Sequence, residues 1–303
     1  MKKYPKTLFA ILLCVITMIS CFTLPVHADI GPKPSVRVNF ENLGDELCYG
    51  TLLSQRESTG PQSVWDGNEE HIYNYDLDIE IWRKFATYKD TDGYYFLQIG
   101  WQVNETKQLA WTYYPPYSFK ILLYFPESDT FAVSGICERY AFDTYYTVDM
   151  DGFDIGSVEL DKEQSTDERI DAYRSYQWQG EILSLIARIL ITIAIEMVVA
   201  IVFGFRKKEQ LIILGIANAV TQVILNVLLN VINYNSGQYA FVFYYVLFEI
   251  IVFALEAALY CKLLKTYSEK PKQNGFYVGY AFIANAVSFA AGLCVAQLIP
   301  GIF

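Results

Sequence analysis

Histidine is almost absent from this 303-residue chain, with His27 and His71 the two examples. Zinc centres draw on closely spaced histidine and cysteine, and His71 has no cysteine near it, so no ligand set is present. The elbow Gly-x-Ser-x-Gly is missing as well, and Ser134-Gly135 lies in a plain strand pattern, which removes the serine hydrolases. Basic residues are scarce: between Asp29 and Trp178 there are 27 Asp/Glu and 12 Lys/Arg, a net charge of −15. Nucleic acid needs a basic face to neutralise its phosphates, and this stretch lacks one. Charged residues make up 18% of the chain against 53% hydrophobic. Several apolar runs are long enough to span a bilayer, which excludes a soluble cytosolic enzyme. No motif calls for a cofactor.

At this length two domains are expected. Met1 to Ala28 carries Lys2, Lys3 and Lys6, then the apolar run Leu8 to Ile19, then the small-residue site Val26-His27-Ala28. That is the pattern of a secretory signal peptide. An uncleaved anchor and a lipoprotein signal ending at Cys21 are the other two readings. Cys14 and Cys21 leave with the leader, and Cys261 and Cys294 fall in apolar segments. Cys48 and Cys137 remain in the exported part, either as a disulfide formed in an oxidising compartment or as two buried thiols.

Residues 29–160 read as an acidic antiparallel β-sandwich. Val36, Val38 and Phe40 alternate with polar residues, as do Tyr73, Tyr75, Leu77, Ile79 and Ile81, so each run is a strand with one wet face. Further strands are expected at Tyr94–Val103, Phe119–Phe125, Phe131–Cys137 and Tyr140–Val148, between Gly and Pro turn signals. The acidic turns Asp90-Thr-Asp92-Gly93 and Asp149-Met-Asp151-Gly152-Phe-Asp154 have the oxygen content of calcium loops. They lack the full spacing and the closing glutamate, so ordinary turns are expected. Aromatics crowd Trp111–Tyr117 and Tyr140–Tyr146, where they serve either the core or a platform for a glycan or peptide.

The mature start Asp29–Ser35 (Asp-Ile-Gly-Pro-Lys-Pro-Ser) and the block Phe119–Pro126 through Tyr140–Asp143 resemble an uncharacterised group of exported membrane proteins from low-GC Gram-positive bacteria. The resemblance implies a compartment and an architecture and carries no activity.

Residues 161–181 are polar, and Thr166 ahead of Asp167 and Glu168 predicts a connector helix leading to an interfacial Trp178. Residues 182–303 then hold four apolar segments: Ile182–Phe205, Leu211–Ile232, Phe241–Leu264 and Phe276–Ile299. The expected fold class is therefore α+β multi-domain, an extracellular antiparallel β-sandwich followed by a four-helix transmembrane domain. Arg206, Lys207 and Lys208 follow the first segment, and Lys262, Lys265, Lys270 and Lys272 follow the third, whereas Asn233–Gln238 is uncharged. The positive-inside rule then places the basic loops in the cytoplasm, and residues 29–181 and the C-terminus outside a bacterial plasma membrane.

Polar residues interrupt these segments. Arg188 and Glu196 lie in the first; Asn218, Gln222, Asn226 and Asn230 form an i, i+4 stripe in the second; Glu249 and Glu256 lie in the third and Asn285 in the fourth. Each set shares one helix face. An ionised group at the bilayer centre costs on the order of 2.5–3.5 kcal/mol, so these faces turn inward. Depth sorts them into an outer layer of Arg188, Asn226 and Glu249, where Arg188 would pair with Glu249, and an inner layer of Glu196, Asn218, Glu256 and Asn285 with no base. The cluster is either hydrogen-bonding glue between helices or a site for a proton or monovalent cation, since two carboxyls in low dielectric cannot both stay ionised.

The expected function is non-enzymatic: the β-domain binds a ligand, a membrane protein or a cell-surface partner, while the membrane domain anchors or relays from the lipid bilayer. The alternative is a small proton- or cation-coupled transporter or transporter subunit.

Overall fold

The computed structural model describes residues 31–72, 77–153 and 168–298, apart from the side chains of residues 168 and 293–298. The leader at 1–28 and the Thr166 cap lie outside the described residues. Two compact units emerge, Pro32–Tyr176 and a helical unit that starts at Gln177.

In chain order the first unit holds β1 (Ser35–Glu41), β2 (Tyr49–Ser54), β3 (Ser58–Thr59), β4 (Gln62–Ser63), α1 (Ile79–Thr87), β5 (Tyr95–Phe96), β6 (Trp101–Gln102) and β7 (Gln108–Trp111). They are followed by β8 (Ser118–Phe125), β9 (Thr130–Ser134), β10 (Cys137–Glu138), β11 (Asp143–Asp149), β12 (Glu168–Ile170) and β13 (Ala172–Arg174). One sheet runs β13-β11-β1-β7, and a larger one runs β12-β9-β8-β2-β5, with β10 also on β8 and β6 also on β2. A core of inward residues joins them, including Val36 and Val38 of β1, Leu52 of β2 and Phe119, Ile121 and Leu123 of β8. The sandwich is thus present, but its sheets are mixed and not antiparallel. β1 pairs with β11 in parallel over seven residues, from Ser35↔Asp143 to Glu41↔Asp149, and β12 pairs with β9 in parallel. Ser35 Oγ donates to Asp143 Oδ1 at 2.6 Å and pins the first rung. The long chain between β1 and β11 supplies the crossover that a parallel pair needs.

β8 is buried on both faces because the larger sheet is covered twice. Leu122 and Tyr124 point away from the sandwich core and pack with Trp82 and Phe85 of α1. This helix replaces the C-terminal part of the strand expected at Tyr73–Ile81. Asp78 accepts from the Glu80 N–H at 2.8 Å and caps it, and Ile81, Trp82 and Phe85 form its buried stripe. The connector helix is likewise corrected. Residues 168–174 are β12 and β13, which complete the two sheets, so the unit extends to Tyr176.

Over the described residues both acidic turns are held by the chain itself, and Asp154 lies outside those residues. Lys120 Nζ lies 2.7 Å from Asp90 and 2.6 Å from Asp92, so an ammonium sits between these carboxylates. Asp149 Oδ1 accepts from Asn42 at 2.8 Å and from the Asp151 N–H at 3.0 Å, an ordinary side-chain-closed turn. The Cys48–Cys137 disulfide is not formed: both are buried free thiols. Cys48 precedes Tyr49, which pairs with Tyr124 at one end of β8, whereas Cys137 pairs with Phe119 at the other. The intervening rungs place them roughly 15–20 Å apart along the sheet, far beyond disulfide reach.

Among the described residues the second unit contains three helices long and apolar enough to cross a membrane: α2 (Trp178–Val202), α3 (Lys208–Thr266) and α4 (Asn274–Leu298). Four separate helices were expected. Instead the middle two are one 59-residue element that turns back at Gly237, where φ is 80° and ψ is 177°. That left-handed φ suits glycine, which has no Cβ to clash. Thr221 and Glu256 are hydrogen-bonded at 2.8 Å although 35 residues apart. A straight helix would separate them by roughly 50 Å. Gln210 Nε2 also donates to Leu264 O, so the two arms of α3 run antiparallel.

This unit is inside-out relative to a water-soluble one. Leu183, Leu190, Val198, Val202 and Ile216 are exposed, whereas Glu196, Asn218, Gln222, Glu256 and Asn285 are buried. Apolar side chains outward and polar ones inward is the arrangement that hydrocarbon surroundings select.

Candidate functional site

Four helical segments converge on the inner polar layer. Glu196 comes from the C-terminal half of α2, Asn218 from the first arm of α3, Glu256 from its second arm, and Asn285 from α4. All four are buried, with Glu196 and Asn218 at 0% exposure and Glu256 at 1%. Helical spacing presents each to the same interior because its neighbours three or four residues away face inward too.

Glu256 is fully engaged. Its Oε2 accepts from Asn285 Nδ2 at 2.8 Å, and its Oε1 accepts from Thr221 Oγ1 at 2.8 Å. Glu196 is not. Its Oε1 lies 3.2 Å from Ser288 Oγ, and Oε2 is buried with no hydrogen-bond partner among the described residues. Asn285 Oδ1 and Asn218 Nδ2 are buried without partners as well. Tyr260 OH donates to Asn218 Oδ1 at 3.4 Å, and Tyr280 OH donates to the backbone oxygen of Glu196 at 3.4 Å. Tyr260, Tyr280 and Phe205 form an aromatic group around this layer, with Phe205 and Tyr280 at 4.9 Å between ring centroids. A carboxylate with an unpartnered oxygen in such surroundings lacks the donors that ionisation requires.

The outer residues do not form one centre. Arg188 Nη2 donates to Asn230 Oδ1 at 2.8 Å, and its guanidinium faces the Phe241 ring at 5.7 Å. The expected partner Glu249 instead has a buried Oε2 with no hydrogen bond. Asn226 Nδ2 turns back on its own helix, to Gln222 O at 2.8 Å and Gln222 Oε1 at 3.3 Å. The amide stripe of α3 therefore splits: Asn218 accepts from Tyr260 in the inner layer, Gln222 and Asn226 bind each other, and Asn230 holds Arg188.

Thr221, Ser288, Tyr260 and Tyr280 were not singled out from the sequence. The signal was there: Thr221 lies three residues after Asn218, Ser288 three after Asn285 and Tyr260 four after Glu256, each on the face already marked as polar. A hydroxyl or tyrosine in an apolar helix is unremarkable alone and gains meaning from a carboxyl one turn away.

Compared with protein-family models, curated proteins and solved structures, the chain matches none. The chemistry of this layer rests on its own geometry.

Proposed function

We propose that this is a non-enzymatic multi-pass protein of the bacterial plasma membrane whose outward β-domain binds a ligand and whose membrane domain holds a proton on the Glu196–Glu256 pair. The two arms of α3 are two crossings, making four in all, with Gly237 at the outer turn. The basic segments lie at the cytoplasmic end, a placement supported by Lys207 Nζ, which lies 2.8 Å from Glu269 and ties the segment after α2 to the one after α3.

The observation that carries the proton reading is the asymmetry of the pair. Glu256 receives two donors, as an ionised carboxylate needs, whereas Glu196 has a bare oxygen, no base beside it and no exposure. One negative charge and one proton fit that inventory. Loss of the proton would place two charges in hydrocarbon-like surroundings, so stability falls as pH rises through that titration. A site of this kind suits a proton-coupled relay or transporter subunit.

A second reading, a shared monovalent cation, draws on the bare oxygens of Glu196 and Asn285.

The test is thermal unfolding of the full chain in nanodiscs across pH, with and without sodium or potassium. The proton reading expects wild type to lose stability toward alkaline pH, Glu196→Gln to flatten that loss, and neither salt to matter. Stabilisation by one cation in wild type and its absence in Glu196→Gln would select the second reading. Identical pH profiles for wild type and Glu196→Gln would leave helix packing as the role.

A further inference from the structure

The β-domain carries a cavity of about 510 Å3 at the end of β2 and β8, between the β3–β4 hairpin and the Tyr114–Tyr117 loop. Its volume is in the range of small-molecule sites, roughly 300–1,000 Å3. No Asp or Glu lines it, although Asp and Glu outnumber Lys and Arg 27 to 12 over residues 29–178. Arg56 and Arg139 do line it. Arg139 Nε is buried without a hydrogen-bond partner, and neither arginine has an ion-pair partner among the described residues.

The walls are flat and fixed. Tyr117 is 61% exposed, and the Arg139 guanidinium lies 5.8 Å from its ring centre. Tyr114 is clamped to the hairpin, where Thr59 Oγ1 donates to Tyr114 O at 2.9 Å. Gly60 has φ +53°, and a Cβ there would come within 2.6 Å of the Tyr114 side chain, so ring and glycine backbone are in direct contact. The backbone of the floor is already paired, through Gln55 N–H to Ser118 O at 3.2 Å and Arg139 N–H to Tyr117 O at 2.8 Å. Those paired groups are taken up within the chain, so recognition at the floor falls to side chains.

We infer that this cavity binds an acidic sugar, with the carboxylate on Arg139 and Arg56 and the ring against the exposed Tyr117. Guanidinium groups match a carboxylate bidentately. Tyrosine faces take the C–H-rich side of a ring. The exposed side chains of Gln55 and Ser58 offer hydrogen bonds to its hydroxyls. The inference rests on the reading of the β-domain as a binding module and names its ligand class.

The experiment is calorimetric titration and saturation-transfer NMR of the full chain in nanodiscs with methyl glucuronide, methyl glucoside, glucose 6-phosphate and an acidic peptide. The glucuronide should bind at least about tenfold tighter than the neutral glucoside. Arg139→Gln and, separately, the exposed Arg56→Gln should each weaken the glucuronide alone, and Tyr117→Ala should remove the saturation transfer to ring protons. Retained circular dichroism in Arg56→Gln keeps the test independent of folding. Equal binding of glucuronide and glucoside, or undiminished binding in both arginine variants, would overturn the inference. Preference for glucose 6-phosphate would overturn the carboxylate assignment, and binding of the peptide alone would overturn the sugar while sparing the module. Failure of every probe would count against the module itself.

Discussion

Replacing Lys120 by methionine tests whether the first acidic turn is closed by the protein's own cation. The Lys120 side chain is 4% exposed and that of Asp90 is 0% exposed, with 2.7 Å between their charged atoms. Burial works against the Lys120 charge, but hydrogen bonds with Asp90 and Asp92 outweigh it and hold the ammonium above its ordinary range. Methionine keeps the apolar stem and deletes the charge, which leaves the buried Asp90 without its cation while Oδ2 keeps the N–H groups of Asp92 and Tyr94. Removing one partner of such a pair costs roughly 3–5 kcal/mol, and for a domain of this size that lowers Tm by about 10–15 °C. Lys120→Met with Asp90→Asn should recover much of the loss. Because the folded-state lysine value is raised, the contribution is fully present below the ordinary lysine range near pH 10 and is lost as pH rises through the folded value. Near-ultraviolet circular dichroism of the full chain during heating reads the transition. A loss below about 1 kcal/mol would refute the reasoning. A shift of the wild-type Tm with calcium or chelator would also refute it, since a metal would then share the turn.

Burial pushes both the Cys48 and Cys137 thiols above their ordinary range. Reductant should therefore leave Tm unchanged, and alkylation at neutral pH should wait for unfolding; a disulfide on a non-reducing gel would contradict this. Gly60→Ala should cost about 1–3 kcal/mol, from positive φ and crowding against Tyr114, and should weaken binding in the cavity. An unchanged Tm would show that the hairpin does not clamp the tyrosine loop. In intact cells a membrane-impermeant thiol reagent should label Ser236→Cys and spare Gln273→Cys; the reverse pattern would invert the topology.

Parts of this architecture were legible because one periodicity dominated them. β1 alternates apolar and polar residues and forms a strand where that alternation predicts one, and β8 reads as a strand from its continuous apolar run. The run Tyr73–Ile81 also alternates, yet its last residues belong to α1, where the Asp78 cap and the Trp82–Phe85 stripe outweigh the alternation. Residues 168–174 read as helical because the polar stretch around them lacks Gly and Pro and Thr166 precedes two acids like an N-cap. Pairing with β9 and β11, remote in sequence, makes them strands. Gly135 splits one expected strand into β9 and β10, and the left-handed Gln98, with φ 63°, separates β5 from β6. In the membrane unit, Glu196, Asn218, Glu256 and Asn285, which counting depth grouped, are all buried. The same counting paired Arg188 with Glu249, because depth does not specify which side of a helix a long side chain reaches, and Asn230 took the guanidinium. The cavity was visible only as a dense aromatic run, since its arginines come from sites 83 residues apart.

The central claim is that one proton resides on Glu196 beside an ionised Glu256. Infrared difference spectroscopy of the full chain in lipid, with hydrogen–deuterium exchange and side-chain substitution, observes that proton through the carbonyl stretch of a neutral carboxyl. Glu249 also has a buried carboxyl oxygen without a hydrogen bond and can contribute a band of its own, so the comparison is made in a Glu249→Gln background. At neutral pH Glu249→Gln should show the band, and adding Glu196→Gln should abolish it while the chain stays folded. A band in Glu249→Gln that is unchanged by Glu196→Gln, or no band in Glu249→Gln, would contradict the account.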